Sequence, residues 1–398
     1  MLTAFGVQPC RAPKRAMCLE YGLTRYVVNG ESSSLTADSS SALSSVKVGS
    51  TLVSVNGVAP APHPTVPGME AGAPPFFVVG NDRSGTTVLR LVLDRSREAA
   101  VPPESMFLLD FASVRRRGGL DDPALAARFV EAVWAHPRVR LWDLRGAPPQ
   151  VPHGLSHAEA YRFAVESPYR AYAQREGKAR FGDKTPAYLH AVDELLEIWP
   201  DARVVVLVRD ARDVALSIAP LPFGPNNPYA AARWWARGIR AGLDAERRHP
   251  EQVLTVRYED LVGDPALHVE RVCEHVGLGY NSEMLAIERS DPGKVVTGQA
   301  GWFERASSPL SAARSGRFRT EMPDEEQRVV AAVAGAELRA LGYDTGGSAA
   351  PLPRRRVLGY TAQDAFLRAV NAFRLRIVQE RGRELRHVLR RKLAGARG

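Results

Sequence analysis

A short apolar run, "PFFVVG" (Pro75–Gly80), passes through a glycine-bearing loop into "TTVLRLVLDRS", where Val88, Leu89, Val92 and Leu93 recur at helical spacing. A run of this kind suits a strand buried on both faces, as in a parallel sheet. Strand, glycine loop and helix form the first half of a βαβ unit. A second such half follows in "ARVVVLVRDARDVALSIA", with a strand over 203–208 and a helix from about Ala211; "QVLTVRYEDL" holds a third strand. This alternation predicts an α/β fold of three layers, with a mainly parallel central sheet and helices on both faces. Ligands of such sheets bind beyond the carboxyl ends of the strands, and the motifs of this chain fall there.

The first loop, "GNDRSGTT", has the frame of the phosphate loop G-x-x-x-x-G-K-[ST], so the expected fold is P-loop-like. Gly85 allows the backbone to curl tightly. Inward N–H groups, with the positive end of the following helix, then make an anion cradle from Arg83, Ser84, Gly85, Thr86 and Thr87. Thr86 stands where a triphosphate loop has its lysine, and Arg83 lies inside the loop instead, suiting a shorter diphosphate-like group. Further on, Arg209 ends a strand, and Ser217 lies eight positions later on the next helix. Together they suit a second, separate phosphate, with the guanidinium as a forked donor. Taken alone, an arginine at a strand end is a common structural pattern. An atypical P-loop phosphotransferase or nucleotide hydrolase is the alternative. It requires magnesium and an aspartate at a strand end facing the loop, where Arg209 stands.

With both motifs in this order, the chain resembles the sulfotransferases that use 3′-phosphoadenosine 5′-phosphosulfate (PAPS), over about Pro75 to Arg319, with support to Tyr343. The resemblance implies that "RSGTT" holds the 5′-phosphosulfate and that Arg209 and Ser217 hold the 3′-phosphate. The product is then 3′-phosphoadenosine 5′-phosphate (PAP), and no metal is expected. "PPES" places Glu104 where the branch resembling tyrosylprotein sulfotransferases, and many bacterial members, carry the general base. The acceptor hydroxyl or amine must lose its proton as it attacks sulfur, so a carboxylate must face the donor. The small-molecule branch uses a histidine, which keeps His153, His157 and His190 as rivals. Lys184 in "FGDKTPAY" is similar to a lysine that stabilises the transferring group. Tyr258 in "VRYEDL" is similar to a tyrosine near the adenine. "RSGRFR" (Arg314–Arg319) is a loose match to a basic loop closing over the 3′-phosphate.

Other features are read more plainly. Lys184 otherwise pairs with Asp183, Arg212 and Asp213 read as a helix-start ion pair, and Tyr258 as plain core. Trp134, Trp142, Tyr161, Phe163, Tyr169 and Tyr172 read as core of a helical middle region, and Trp234 and Trp235 as packing. "APLPFGPNNPY" (Ala219–Tyr229) is either a gate or a rigid connector. No Cys/His cluster has metal spacing. Three scattered cysteines argue against a disulfide framework. With no signal-peptide pattern and no membrane-length apolar run, a cytoplasmic protein is expected.

Residues 1–73, rich in serine, proline and small residues, are expected to be a disordered extension. Residues 74–345 form the expected sulfotransferase domain, and 346–398 a basic helical tail. The whole chain has a net charge of +9, but residues 351–398 alone carry 13 Arg and Lys against 3 Asp and Glu. The rest is nearly neutral, so the charge belongs to the tail and a nucleic-acid footprint is not expected. An anionic membrane surface, another protein or a homodimer are open partners for the tail. The acceptor is open among small molecules, carbohydrates, lipids and protein tyrosines.

Overall fold

The computed structural model describes residues 73–221, 224–290, 310–347 and 350–395. The expectation for residues 1–73 therefore lies outside the described residues, Ala73 apart. Five strands form one sheet: β1 (Phe76–Gly80), β2 (Ala99–Ala100), β3 (Arg180–Lys184), β4 (Arg203–Val208) and β5 (Val253–Arg257). Their order is β2-β3-β1-β4-β5, and every pairing is parallel. Central β1 sets Phe77 beside Asp183 of β3 and beside Val204 of β4.

Side chains alternate across a strand, and here each face has its own apolar cluster. Phe76, Val78, Val205 and Leu207 pack with Leu89 and Val92 of helix Thr86–Asp94 and with Val269 and Val272 of helix Pro265–Val276. Phe77, Val79, Val204, Val206 and Val208 pack on the other side with helices His157–Arg175, Pro228–Arg248 and Asp324–Ala340. These two clusters make the three layers. A tight fit at the centre demands one glycine: a Cβ on Gly182 would lie 2.3 Å from the ring of Phe76, its partner across the ladder.

The aromatic residues of the middle region are core, as expected. Trp142, Tyr161, Phe163, Tyr169 and Tyr172 are buried, and Trp134 packs against them. Tyr169 stacks on Phe181 of β3 with ring centres 4.9 Å apart. The proline-rich loop before helix Pro228–Arg248 is clasped by the terminal helix Arg354–Gly395. The Asn226 amide donates to Asp364 Oδ1 at 2.8 Å, and Asn227 Nδ2 donates to the Tyr360 carbonyl at 2.8 Å. No helix of the described residues is long and apolar enough to cross a membrane.

From β1 the chain runs to β2 and β3 on one side, then returns past β1 to β4 and β5. The carboxyl ends of β3, β1 and β4 thus form one rim where the strand order reverses, the place such sheets offer a ligand.

Candidate active site

The loop after β1 owes its curl to two left-handed residues, Arg83 at φ +70° and Gly85 at φ +96°. Gly85 is also required by contact. A Cβ there would lie 2.4 Å from the ring of Tyr258, which packs directly beneath the loop. Tyr258 follows β5, and the Arg209 guanidinium lies 4.8 Å from its ring centre on the β4 side. The phosphate loop is therefore seated on an aromatic platform at the β5 end.

The two anion motifs, 134 positions apart at their contact, meet directly. Arg83 Nε donates to Ser217 Oγ at 3.1 Å. Arg209 donates to the Arg83 carbonyl at 3.4 Å, to Asp213 Oδ2 at 3.3 Å, and to the Arg314 carbonyl. Trp235 Nε1 fixes the Arg209 carbonyl at 2.9 Å, so this tryptophan positions the strand end as well as packing. Arg83, Arg209, Ser217, Ala313, Arg314 and Arg317 line a cavity of about 490 Å³. Four guanidinium-bearing residues make this cavity strongly positive, although Arg209 and Arg317 already have carboxylate partners in Asp213 and Glu321.

Asp213 has a different partner from the one expected. Arg212 pairs with Asp210 at 2.6 Å, whereas Asp213 pairs with Arg209. Fully buried, Asp213 also accepts from the Gly316 amide at 2.8 Å and the Phe318 amide at 2.9 Å. It thereby hangs the "RSGRFR" segment over the cavity.

At the β3 end, Lys184 Nζ donates to Glu104 Oε1 at 2.5 Å and to Thr87 Oγ1 at 3.3 Å. Lys184 is buried, and about a third of the Glu104 side chain is open, at 31%. The alternative surface pair of Lys184 with Asp183 does not form: Asp183 is buried and accepts from the Tyr169 hydroxyl at 3.0 Å. Burial pushes the Asp183 carboxyl up to about 6, against hydrogen bonds that lower it. Glu104 is held in place through the next residue. The Ser105 amide donates to Thr185 Oγ1 at 3.2 Å, and Ser105 Oγ lies 2.7 Å from the Tyr188 hydroxyl. Burial pushes the Glu104 carboxyl up, but the charge and hydrogen bond of Lys184, with Arg138 and Arg90 behind it, bring it below its ordinary value. Glu104 is thus ionised at neutral pH.

Of the rival histidines, His157 has both ring nitrogens engaged with the backbone, Nδ1 with the Leu120 amide at 3.1 Å and Nε2 with the Arg115 carbonyl at 2.8 Å. His153 and His190 are exposed.

Two buried donors at the rim lack a protein partner, Ser84 Oγ in the loop and Arg209 Nε in the cavity wall, as does one acceptor, Asn81 Oδ1. Orphaned donors are costly unless a ligand or water meets them. They fit a ligand with an anion at each end. Sequence reasoning overlooked Asp82, between Asn81 and Arg83. Burial, then the charge of Glu104, push its carboxyl up to about 7, against Lys184 and Arg83. A lone acid in a loop reads as solvated, so nothing in the sequence marked it.

A lysine-free loop thus lies at the switch point of a parallel sheet, with an arginine-lined cavity one strand away. The pattern of the sulfotransferase family matches residues 74–282, and the chain belongs to that family. It is 25% identical to the nodulation protein NoeE of Sinorhizobium fredii over 299 residues, which is 67% of this chain but only 65% of that protein's length. It is 23% identical over 227 residues to a putative protein-tyrosine sulfotransferase of Caenorhabditis briggsae, covering 53% of this chain and 68% of that protein. The sulfotransferase domain of the Synechococcus olefin synthase has a similar structure at TM-score 0.47 and 23% identity, covering 70% of this chain and 98% of that domain.

Proposed function

We propose that this chain transfers a sulfuryl group from PAPS to a hydroxyl or amine acceptor. The observation that carries this reading is the joining of the two anion motifs, Arg83 to Ser217 and Arg209 to the loop carbonyl, beside the Glu104–Lys184 pair. When bound, PAPS supplies an activated sulfuryl group on a phosphate leaving group. Arg83, Ser84, Gly85, Thr86 and Thr87 cradle the 5′ end at the start of helix Thr86–Asp94, which has no side-chain cap. Arg209 and Ser217 hold the 3′-phosphate, with Arg314 and Arg317 above. Tyr258 supports the loop and borders the nucleotide.

Glu104 takes the proton from the attacking acceptor oxygen or nitrogen as the new bond to sulfur forms and the sulfur–oxygen bond to the 5′-phosphate breaks, leaving PAP. Lys184 tempers this base. While Lys184 grips Glu104 at 2.5 Å, its charge keeps the carboxylate's proton affinity low. Lys184 also reaches Thr87, so it stands between the base and the loop. As negative charge gathers on the transferring group, Lys184 leans toward it and Glu104 becomes a stronger base. Activation of the base is thereby tied to the presence of the donor. Positioning and electrostatics supply the rest of the rate.

The phosphotransferase alternative is tested by calorimetry both with and without magnesium. PAP is expected to bind at least about tenfold more tightly than ATP, since only PAP fills the Arg209–Ser217 pocket with a charge-assisted contact. Equal affinities would remove the 3′-phosphate assignment. Incubation with radiolabelled PAPS and a host extract then identifies the labelled acceptor.

Asp82 adds a pH dependence of known sign. With its carboxyl at about 7 it is mostly neutral below that pH and anionic above, where it opposes an anion in the same loop. The PAP affinity of Asp82→Asn relative to the parent is expected to rise several-fold between about one unit below and one unit above that midpoint. The comparison cancels the ionisation of the ligand's own phosphates. Parallel pH profiles for the two proteins would dismiss this role.

A further inference from the structure

We propose that the terminal helix Arg354–Gly395 docks this protein on an anionic phospholipid surface. The helix has two faces with different duties. Tyr360, Asp364, Leu367 and Asn371 are half-buried and meet the body. Tyr360 stacks on Tyr229 with ring centres 5.8 Å apart, and Asn371 donates to Asn226 Oδ1 at 3.0 Å. At about 100° per residue these positions lie roughly 180–240° around the helix from Leu358.

The opposite face carries Leu358, Phe366 and Phe373, exposed by 70%, 68% and 66%, all within about 80° of arc. Phe366 and Phe373 are the exposed phenylalanines of the described residues. Large apolar side chains standing free on one face of a helix mark a surface that meets something. The surrounding charge decides what. Residues 351–398 carry 13 Arg and Lys against 3 Asp and Glu. A second copy of the same helix would set two strongly positive segments against each other. Phospholipid headgroups complement the charge, and the acyl boundary takes the phenylalanines. Nucleic-acid phosphate would meet the charge but leave the aromatic pair unused. Docking would rest on this helix alone and does not depend on what the strand-end cavity binds.

The test is flotation of the full chain with phosphatidylcholine vesicles, with and without phosphatidylserine. Co-flotation is expected only with phosphatidylserine and is expected to weaken as salt is raised. Phe366→Ala/Phe373→Ala is expected to lower vesicle partitioning by at least about tenfold while leaving the melting temperature unchanged, because neither ring packs on the body. Failure to float with anionic vesicles overturns the proposal, as does equal flotation of the double variant. A dimer in sedimentation that the double variant splits would make this face a subunit contact and likewise overturn it. So would tighter retention by duplex DNA than by vesicles with both phenylalanines dispensable.

Discussion

Glu104→Gln is expected to lower turnover by about 10²–10⁴-fold while PAP affinity stays within a few-fold of the parent. The amide keeps the shape of the side chain and can still accept from Lys184, but it cannot take the acceptor's proton. The substitution also removes the negative partner of a buried lysine, 2.5 Å away. Thermal melting therefore has to accompany the kinetics, to separate lost chemistry from a loosened site. Full transfer by a folded Glu104→Gln protein would require another base. His157 would be a poor replacement, since both its nitrogens already serve the backbone.

Arg209→Ala is expected to weaken PAP binding by about 10–100-fold, the worth of a charge-assisted phosphate contact in a sheltered pocket. A non-specific reading must be excluded, because the substitution strands Asp213. That carboxylate is fully buried, and Arg209 is its cation at 3.3 Å. Loss of one member of such a pair is strongly destabilising. Ser217→Ala supplies the cleaner arm. It removes a hydroxyl that meets Arg83 at 3.1 Å and leaves the Asp213 contacts intact. It is expected to lower PAP affinity by up to about tenfold with no change in melting. If calorimetry found PAP affinity unaltered in both variants, the second phosphate would have to sit elsewhere.

How far each part was legible depended on the physics that writes it into sequence. The strands β1 and β4 were plain because burial on both faces leaves continuous apolar runs, "FFVV" and "VVVLV". The loop was plain because its curl needs glycine at Gly85. The partnership of Glu104 and Lys184 was not, since periodicity reports burial and says nothing of contacts 80 positions apart. Resemblance to a family placed both residues at the site, and the geometry added their direct bond. Asp213 was assigned the wrong partner because sequence proximity favours Arg212, whereas one helical turn brings Arg209 and Asp213 together. The buried network of Ser105, Thr185 and Tyr188 left no trace, being made of single hydroxyls on two segments about 80 positions apart.

The segment hung from Asp213 explains why "RSGRFR" looks so little like a motif. Its anchors are the amides of Gly316 and Phe318, and Arg209 takes the carbonyl of Arg314. All three are main-chain groups, which most residue types provide alike. A cover fastened this way can drift in spelling and keep its place, provided the aspartate and the arginine below stay put and a glycine remains at 316, where φ is +73°. In searching for distant kin of this chain, the helix that does the holding is a better signature than the strand of residues being held.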